Sequence, residues 1–500
     1  MTFEIVFVLL SLLGMVAALV ADKMRPGMIL FSVVVLFLCA GILTPKEMLE
    51  GFSNKGMITV ALLFLVSEGI RQSGTLGQVI KKLLPQGKTT VFKAQLRILP
   101  SVAFISAFLN NTPVVVIFAP IIKHWAKSVN LPATKFLIPL SYVTILGGIC
   151  TLIGTSTNLV VHGMILEAGF EGFSMFELGK VGIFIAIAGI IYIFLFSKRL
   201  LPDARPDTAV PDEEVEEGEK LHRVEAVLGA RFPGINKKLK DFNFQRHYGA
   251  EVKEIKTRNG QRFVTNLDDV VLHEGDTLVV MADDTFIPTW GESSVFVLLT
   301  NGNEPDTTGK KKRWFALLLL VLMIVGATVG ELPITKEMFP GIKLDMFFFV
   351  SITTIIMAWT NLFPARKYTK YISWDILITI ACAFAISKAM VNSGVADSVA
   401  KFIIGLSDDY GPHVLLAMVF IITNLFTELI TNNAAAALAF PLALSISAQL
   451  GVSPTPFFVV ICMAASASFS TPIGYQTNLI VQGIGNYKFT DFVRIGLPLN

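Results

Sequence analysis

GYQTNLIVQG at residues 474–483 and GTSTNLVVHG at 154–163 are two versions of one decapeptide, Gly-x-x-Thr-Asn-Leu-x-Val-x-Gly, written 320 positions apart. Both stand in apolar sequence, where Thr and Asn are costly unless something uses them. The same offset extends outward. GFSNKGMITVALLFLVSEGIRQSG (51–74) lies over YISWDILITIACAFAISKAMVNSG (371–394) without a gap, with Ser53/Ser373, Thr59/Thr379, Ser67/Ser387, Ser73/Ser393 and Gly74/Gly394 identical. SAFLNNTPVVVIFAP (106–120) matches TELITNNAAAALAFP (427–441) at offset 321. Leu- and Ala-rich helices resemble one another by chance, but polar residues agreeing in three blocks do not. The chain reads as two copies of one unit.

The unit belongs in a membrane. Of 500 residues 53% are hydrophobic and 16% charged, against about 25% charged in soluble domains, and the mean hydropathy is +0.64. Apolar runs of spanning length recur at Phe3–Val20, Gly27–Leu43, Leu178–Ser197 and Trp314–Gly330. A net charge of +3 gives no footprint for nucleic acid. Cys39, Cys150, Cys382 and Cys462 lack metal-ligand spacing and read as packing residues, and no nucleophile–base pair suggests an enzyme.

Lys and Arg set the orientation. The segment 71–97 carries Arg71, Lys81, Lys82, Lys88, Lys93 and Arg97 without an acid, and 121–135 carries Lys123, Lys127 and Lys135. Both are expected in the cytoplasm. The stretch between them then enters and leaves on one side. Its apolar arms, Ile98–Leu109 and Pro113–Trp125, are too short to cross a core of ~30 Å at ~1.5 Å per residue. They predict a re-entrant hairpin (97–128) with Asn110-Asn111-Thr112 at its tip. The mate, 414–448 with tip Thr431-Asn432-Asn433, is expected to enter from outside, an inverted repeat of the kind found in secondary transporters.

The expected organisation is a first membrane repeat at 1–200 (five spans plus the hairpin), a cytoplasmic insertion at 201–312, and a second repeat at 313–500. FELGKVGI (176–183) resembles TDFVRIGL (490–497), and by that match a further helix is expected after Asn500.

Each copy offers two interruptions. Asn-Asn-Thr-Pro reads as a stop and restart, with Thr112 a cap and Pro113 the first helical residue. Thr431-Asn432-Asn433 reads the same way. In the decapeptides Gly154 and Gly474 unwind a helix, and Thr157-Asn158 and Thr477-Asn478 are expected to cap the next half. Such breaks offer half-helix N-termini to an anion and unwound carbonyls with amide and hydroxyl oxygens to a cation. Ser106 and Thr427, five residues before Asn111 and Asn432, put a hydroxyl below each tip within reach of the Gly154 or Gly474 carbonyl. No basic residue stands at any break. The plainer alternative is a set of kinks packing helix to helix. Glu68 and Lys388 read as snorkelling side chains, Glu428 as a local cap or a proton or gate residue, and His162, whose mate is Gln482, as no metal ligand.

At these residues the chain resembles the divalent anion/sodium symporter family of the ion transporter superfamily, which carries Ser-Asn-Thr at two hairpin tips and a Pro-Pro-Asn-like motif in two broken helices. The resemblance covers roughly 1–200 and 313–500. It implies that Asn111 and Asn432 serve both substrate and sodium. Ser106, Asn110 and Gly154 would complete one sodium site; Thr427, Ile430 through its carbonyl, and Gly474 would complete the other. It places Thr112, Thr155, Ser156, Asn433, Tyr475 and Gln476 at the substrate. It also implies a homodimer in the cell membrane, an elevator motion and sodium as coupling ion, with no covalent cofactor. The chain departs at Asn110 and Thr431 for Ser, Asn433 for Thr, and Ser156-Thr157 and Gln476-Thr477 for Pro-Pro. These amide-rich departures make sulfate at least as good a candidate as a di- or tricarboxylate.

Within the insertion, 203–219 holds eight acids and reads as a linker. HRVEAVLG, YGAEVKEIKTRNGQRF and EGDTLVVMADD suggest strands, and INKKLKDFNF a short helix. Over 221–288 this resembles the C-terminal ligand-binding module of potassium-conductance regulators (RCK-C), implying a small regulatory ligand or a structural role. TTGK (307–310) lacks a P-loop's upstream glycine. A ligand-gated channel is therefore a second reading, although IGY (473–475) is not the TVGYG filter. A proton-coupled carrier or an oxyanion exporter of the same superfamily is a third.

Overall fold

The computed structural model describes residues 3–21, 24–203, 222–229, 232–257, 261–283, 286, 290, 295–300, 310–339, 341–405, 411–472 and 474–500. Most of the acidic linker, and Thr307–Gly309 of TTGK, lie outside them.

The first half runs through α1 (Phe3–Ala21), α2 (Pro26–Cys39), α3 (Pro45–Glu50), α4 (Lys55–Gln72), α5 (Thr75–Leu83), α6 (Val91–Ser106), α7 (Asn111–Ser128), α8 (Leu137–Gly148), α9 (Ser156–Glu167) and α10 (Gly179–Leu200). After the inserted domain and its α11 (Phe244–Tyr248), the second half follows the same order. It comprises α12 (Lys310–Gly330), α13 (Pro333–Met338), α14 (Met346–Trp359), α15 (Tyr368–Tyr371), α16 (Trp374–Asn392), α17 (Val395–Gly405), α18 (Gly411–Leu429), α19 (Asn432–Leu450), α20 (Thr455–Ser466), α21 (Gln476–Gly485) and α22 (Phe489–Gly496). Left-handed residues that end helices recur at matched places: Gly41 (φ 74°) with Asn361 (φ 52°), Gly74 (69°) with Gly394 (75°), and Asn130 (56°) with Gly451 (64°).

Seven helices among the described residues have the length and apolarity to cross a membrane, and four further apolar helices are shorter. The chain is a multi-pass membrane protein. Phe184, Trp359 and Phe3 are at least 73% exposed on α10, α14 and α1, among many other large apolar side chains that face outward on these helices, a surface suited to lipid. One apolar core runs through both halves. Four details differ from the sequence reading. The run 27–43 is helical only to Cys39, because the chain turns through Gly41. The arms of the first hairpin are 16 and 18 residues long, not 12 and 13, because Lys93, Gln95 and Arg97 continue the helix below its apolar part. Gln95 Nε2 is held by the Lys135 carbonyl at 2.6 Å, which is how a polar residue sits there. Glu68 does not snorkel. It is buried and takes a two-pronged bond from Arg71 (2.7 and 2.8 Å) and another from Gln72. Cys382 and Cys462 pack in the interior, whereas Cys39 is exposed.

The inserted domain is a five-stranded antiparallel sheet, β1 (His222–Leu228), β2 (Glu251–Lys256), β3 (Arg262–Phe263), β4 (Thr277–Ala282) and β5 (Phe296–Thr300), in the order β3-β2-β4-β1-β5. β5 pairs with β1 and lies beyond the 221–288 span. Phe232, Phe242, Phe244, Tyr248 and Phe296 form its separate core. INKKLKDFNF holds a single helical turn at Leu239–Asp241 and then caps and begins α11 at Asn243 and Phe244.

Among the described residues this domain touches the membrane unit through β1 and through the turn before β4. Lys123 of α7 grips both oxygens of Glu225 on β1 at 3.0 Å, with Lys256 at 3.4 Å behind. At the second, β4 and the turn before it lie so close to α21 that a Cβ on Gly275 would meet Leu479 at 2.6 Å. Burial by itself would raise the Glu225 carboxyl, but Lys123 and Lys256 outweigh it and hold the group at about 2. A depressed carboxylate contributes fully above its unfolded value of 4.5 and loses that contribution as pH falls through about 2. The clasp is therefore intact at neutral pH. Lys123→Met is expected to weaken docking by about 1–3 kcal/mol, since Lys256 remains. It should speed limited proteolysis of the inserted domain at pH 7; an unchanged cleavage rate would rule the clasp out as a docking element.

Candidate functional site

Four helices begin at one place: α7 at Asn111, α9 at Ser156, α19 at Asn432 and α21 at Gln476. Their starts touch through side chains. Asn111 reaches the Tyr475 hydroxyl at 2.6 Å, Thr112 Oγ1 donates to Gln476 Oε1 at 3.3 Å, and Ser156 and Thr157 donate to Asn433 Oδ1 at 3.3 and 3.2 Å. Thr155 Oγ1 lies 3.0 Å from the Tyr475 hydroxyl. The contacts follow the repeat. Each tip pairs with the break of the other half: Thr112 with Gln476 in one sense, Asn433 with Ser156 in the other. None of the four starts is capped by a side chain, which leaves first-turn N–H groups and four positive helix ends directed at one spot.

Behind each tip lies a nest of oxygens. In the first half Ser106 Oγ is 2.8 Å from the Asn111 amide, and the Thr144 and Gly154 carbonyls lie 3.0 and 3.2 Å from the same end of it. Ser106 and Asn111 are buried. A side chain at Gly154 would run into the Gly148 carbonyl, so glycine alone lets the unwound segment fold back. In the second half Thr427 Oγ1 lies 2.8 Å from Asn432 Oδ1 and 2.6 Å from the Ala465 carbonyl, with one proton to donate between them. Gly474 packs on Ser468 Oγ and the Thr427 carbonyl. Ser466 Oγ, Ser468 Oγ and Thr431 Oγ1 are buried there without a partner. Unpartnered buried hydroxyls among converging carbonyls suit a small hard cation.

The broken helices are pinned by an unforeseen device. Asn158 Nδ2 donates to the carbonyls of Gly148 (3.3 Å) and Thr151 (2.8 Å), and Asn478 Nδ2 to those of Ser468 (2.8 Å) and Thr471 (3.1 Å). All six residues keep the 320 offset. The expectation that Thr157, Asn158, Thr477 and Asn478 cap the following half-helices is corrected: they lie inside α9 and α21, whose cap positions are Thr155 and Tyr475, and the asparagines tie down carbonyls of the chain leaving the preceding half. Likewise the cap of α7 is Asn110, not Thr112, and Pro113 is its third residue.

Asn110 lines a cleft beside the tip with Ser67 and Ser156. Ile430 is buried under the second tip. Glu428 Oε1 accepts from the Ser470 N–H at 2.9 Å and from Asn500 at 2.7 Å, a local pairing, while its Oε2 is buried without a hydrogen-bond partner. Sequence reasoning missed Thr144, Ser466 and Ser468. The alternating serines of ASASFS (465–470) were the available signal, but Ser468 has glycine, Gly148, as its mate and so escaped a search for doubled residues.

The chain matches the citrate transporter family over residues 16–449 and, in a second overlapping match, 352–500. It is 30% identical to an uncharacterized transporter of Synechocystis, over 93% of this chain and 90% of that protein. It is 25% identical to an uncharacterized transporter of Escherichia coli, over 100% and 97%. It is also 31% identical to sodium/sulfate cotransporter 2 of Chlamydomonas reinhardtii, over 55% of this chain and 31% of that protein. With four helix starts meeting inside a doubled membrane unit, these matches identify the chain as a member of the citrate transporter family, within the divalent anion/sodium symporter (SLC13-like) group of membrane transporters.

Proposed function

We propose that the protein is a sodium-coupled carrier of a compact divalent oxyanion, with sulfate the leading substrate. The observation that carries this reading is the meeting of four uncapped helix N-termini, which attract negative charge without Arg or Lys. The anion sits among Asn111, Thr112, Thr155, Ser156, Asn432, Asn433, Tyr475 and Gln476. Sodium enters the nests behind it: Ser106, Asn111 and Gly154 with Thr144, and Thr427, Asn432 and Gly474 with Ala465 and Ser468. Helix starts thus face the anion while helix ends and unwound carbonyls face the cations, and each ion offsets the other's charge in a site of low dielectric.

The size of the cargo follows from Tyr475. Its mate is Thr155, so one side of the pocket carries a phenol where the other carries a methyl and a hydroxyl. That ring, buried against the first tip, narrows the pocket and favours an anion smaller than citrate. The name of the Chlamydomonas relative points the same way.

The two halves lie inverted in the membrane, the hairpins open to opposite sides, and the tips meet near mid-depth. Access alternates by movement of the hairpins and broken helices against the rest in a homodimer. The inserted domain is cytoplasmic, and the clasp on α7 and α21 lets it influence that movement.

Uptake of labelled sulfate, succinate and citrate into proteoliposomes, with and without an inward sodium gradient, tests the reading. Saturable, sodium-driven sulfate uptake with citrate at background is expected. Citrate transport exceeding sulfate would overturn the substrate, and single-channel current independent of a gradient would overturn the carrier.

A further inference from the structure

The Tyr475 hydroxyl reaches across to the first half, touching Asn111 at its tip and Thr155 at its break. A phenol has one proton to donate but can accept more than one bond. Which neighbour receives that proton depends on how the Asn111 amide is turned.

One end of that amide faces three acceptors, Ser106 Oγ and the Thr144 and Gly154 carbonyls, and the other end faces Tyr475. With the nitrogen inward, the amide donates to the nest, and its outward oxygen requires the Tyr475 proton at 2.6 Å. With the oxygen inward, four oxygens crowd together, an arrangement that a cation among them makes favourable. The outward nitrogen then donates to the Tyr475 oxygen, and the phenolic proton is released from Asn111.

We infer that Tyr475 relays cation binding at the first hairpin to the anion: the ion turns the Asn111 amide, and the Tyr475 hydroxyl passes its hydrogen bond from Asn111 to an oxygen of the substrate. No covalent bond changes. The released donor then has the Thr155 hydroxyl beside it at 3.0 Å, and an anion that displaces that contact after the cation has bound finds one more donor than an anion arriving before it. The second half has no such relay, because Thr155 stands in the matched position and its hydroxyl lies against Tyr475 rather than beyond it. This inference rests on the sodium-coupled reading above.

The test compares labelled-sulfate binding to the purified full chain in sodium and in choline, alongside the thermal shift caused by sodium alone. In the unaltered protein sodium should tighten sulfate binding about 10- to 100-fold. In Tyr475→Phe, which keeps the ring, that ratio should fall to within about 3-fold while sodium alone still raises the melting temperature at a similar midpoint. An undiminished ratio in Tyr475→Phe overturns the relay and leaves sodium coupling standing. Loss of the sodium-only shift in the variant also overturns it, since Tyr475 would then belong to the cation site itself. If the unaltered protein shows no sodium effect on sulfate, sodium coupling fails first and the relay with it.

Discussion

Asn111→Ala should lower sodium-driven sulfate uptake at least ~100-fold while leaving a folded protein. The substitution removes the side chain that faces Ser106 and the Thr144 and Gly154 carbonyls at one end and Tyr475 at the other. Two hydrogen bonds worth about 1–3 kcal/mol each in a buried site account for a loss of that size. The helix is spared, because Asn111 begins α7 without capping it. Asn432→Ala should do the same through Thr427. The measurement is initial-rate uptake in proteoliposomes, with size-exclusion chromatography as the control for folding. Wild-type rates in both variants would place the site elsewhere.

Asn478→Ala should instead fail at the level of structure. Asn478 Nδ2 holds the Ser468 and Thr471 carbonyls, and its Oδ1 accepts from Ser141 at 2.7 Å. Truncation strands two carbonyls; Ser141 keeps Thr477 at 2.9 Å. At about 1–3 kcal/mol for each stranded group, the loss of about 2–6 kcal/mol rivals the net stability of a typical fold. We expect a melting temperature in detergent lower by more than ~5 °C and little protein in the membrane. Asn158→Ala strands the Gly148 and Thr151 carbonyls in the same way and should destabilise by a similar amount. Equal stability of Asn478→Ala and the unaltered protein would show that the broken helix is held by packing alone.

The contrast between these asparagines marks what the sequence makes legible. Asn111, Asn432, Asn158 and Asn478 stand out because an amide in apolar sequence is conspicuous, and each recurs near one offset. The existence of four interruptions followed directly. Which end of a break an asparagine serves did not, because the chain folds back at Gly148–Gly154 and Ser468–Gly474 and brings the preceding carbonyls, rather than the following N–H groups, to the side chain. Tyr475 was legible as a substrate residue only through the family resemblance; its contact with the Asn111 tip depends on how the halves cross. Lys93, Gln95 and Arg97 misled the arm lengths because a partnered polar residue continues a helix as well as an apolar one does. The serines at 466 and 468 lacked mates, and β5 lacked a pattern strong enough to place it beyond residue 288.

The central claim is that Thr112 and Asn433, 321 positions apart in the chain, line one anion site from opposite halves. Thr112→Cys and Asn433→Cys, each in a background with the four native cysteines replaced, can be labelled with a small thiol reagent in sodium across a range of sulfate concentrations. The account predicts that sulfate protects both positions with the same half-effective concentration. Protection of one cysteine but not the other, or of neither, would contradict it.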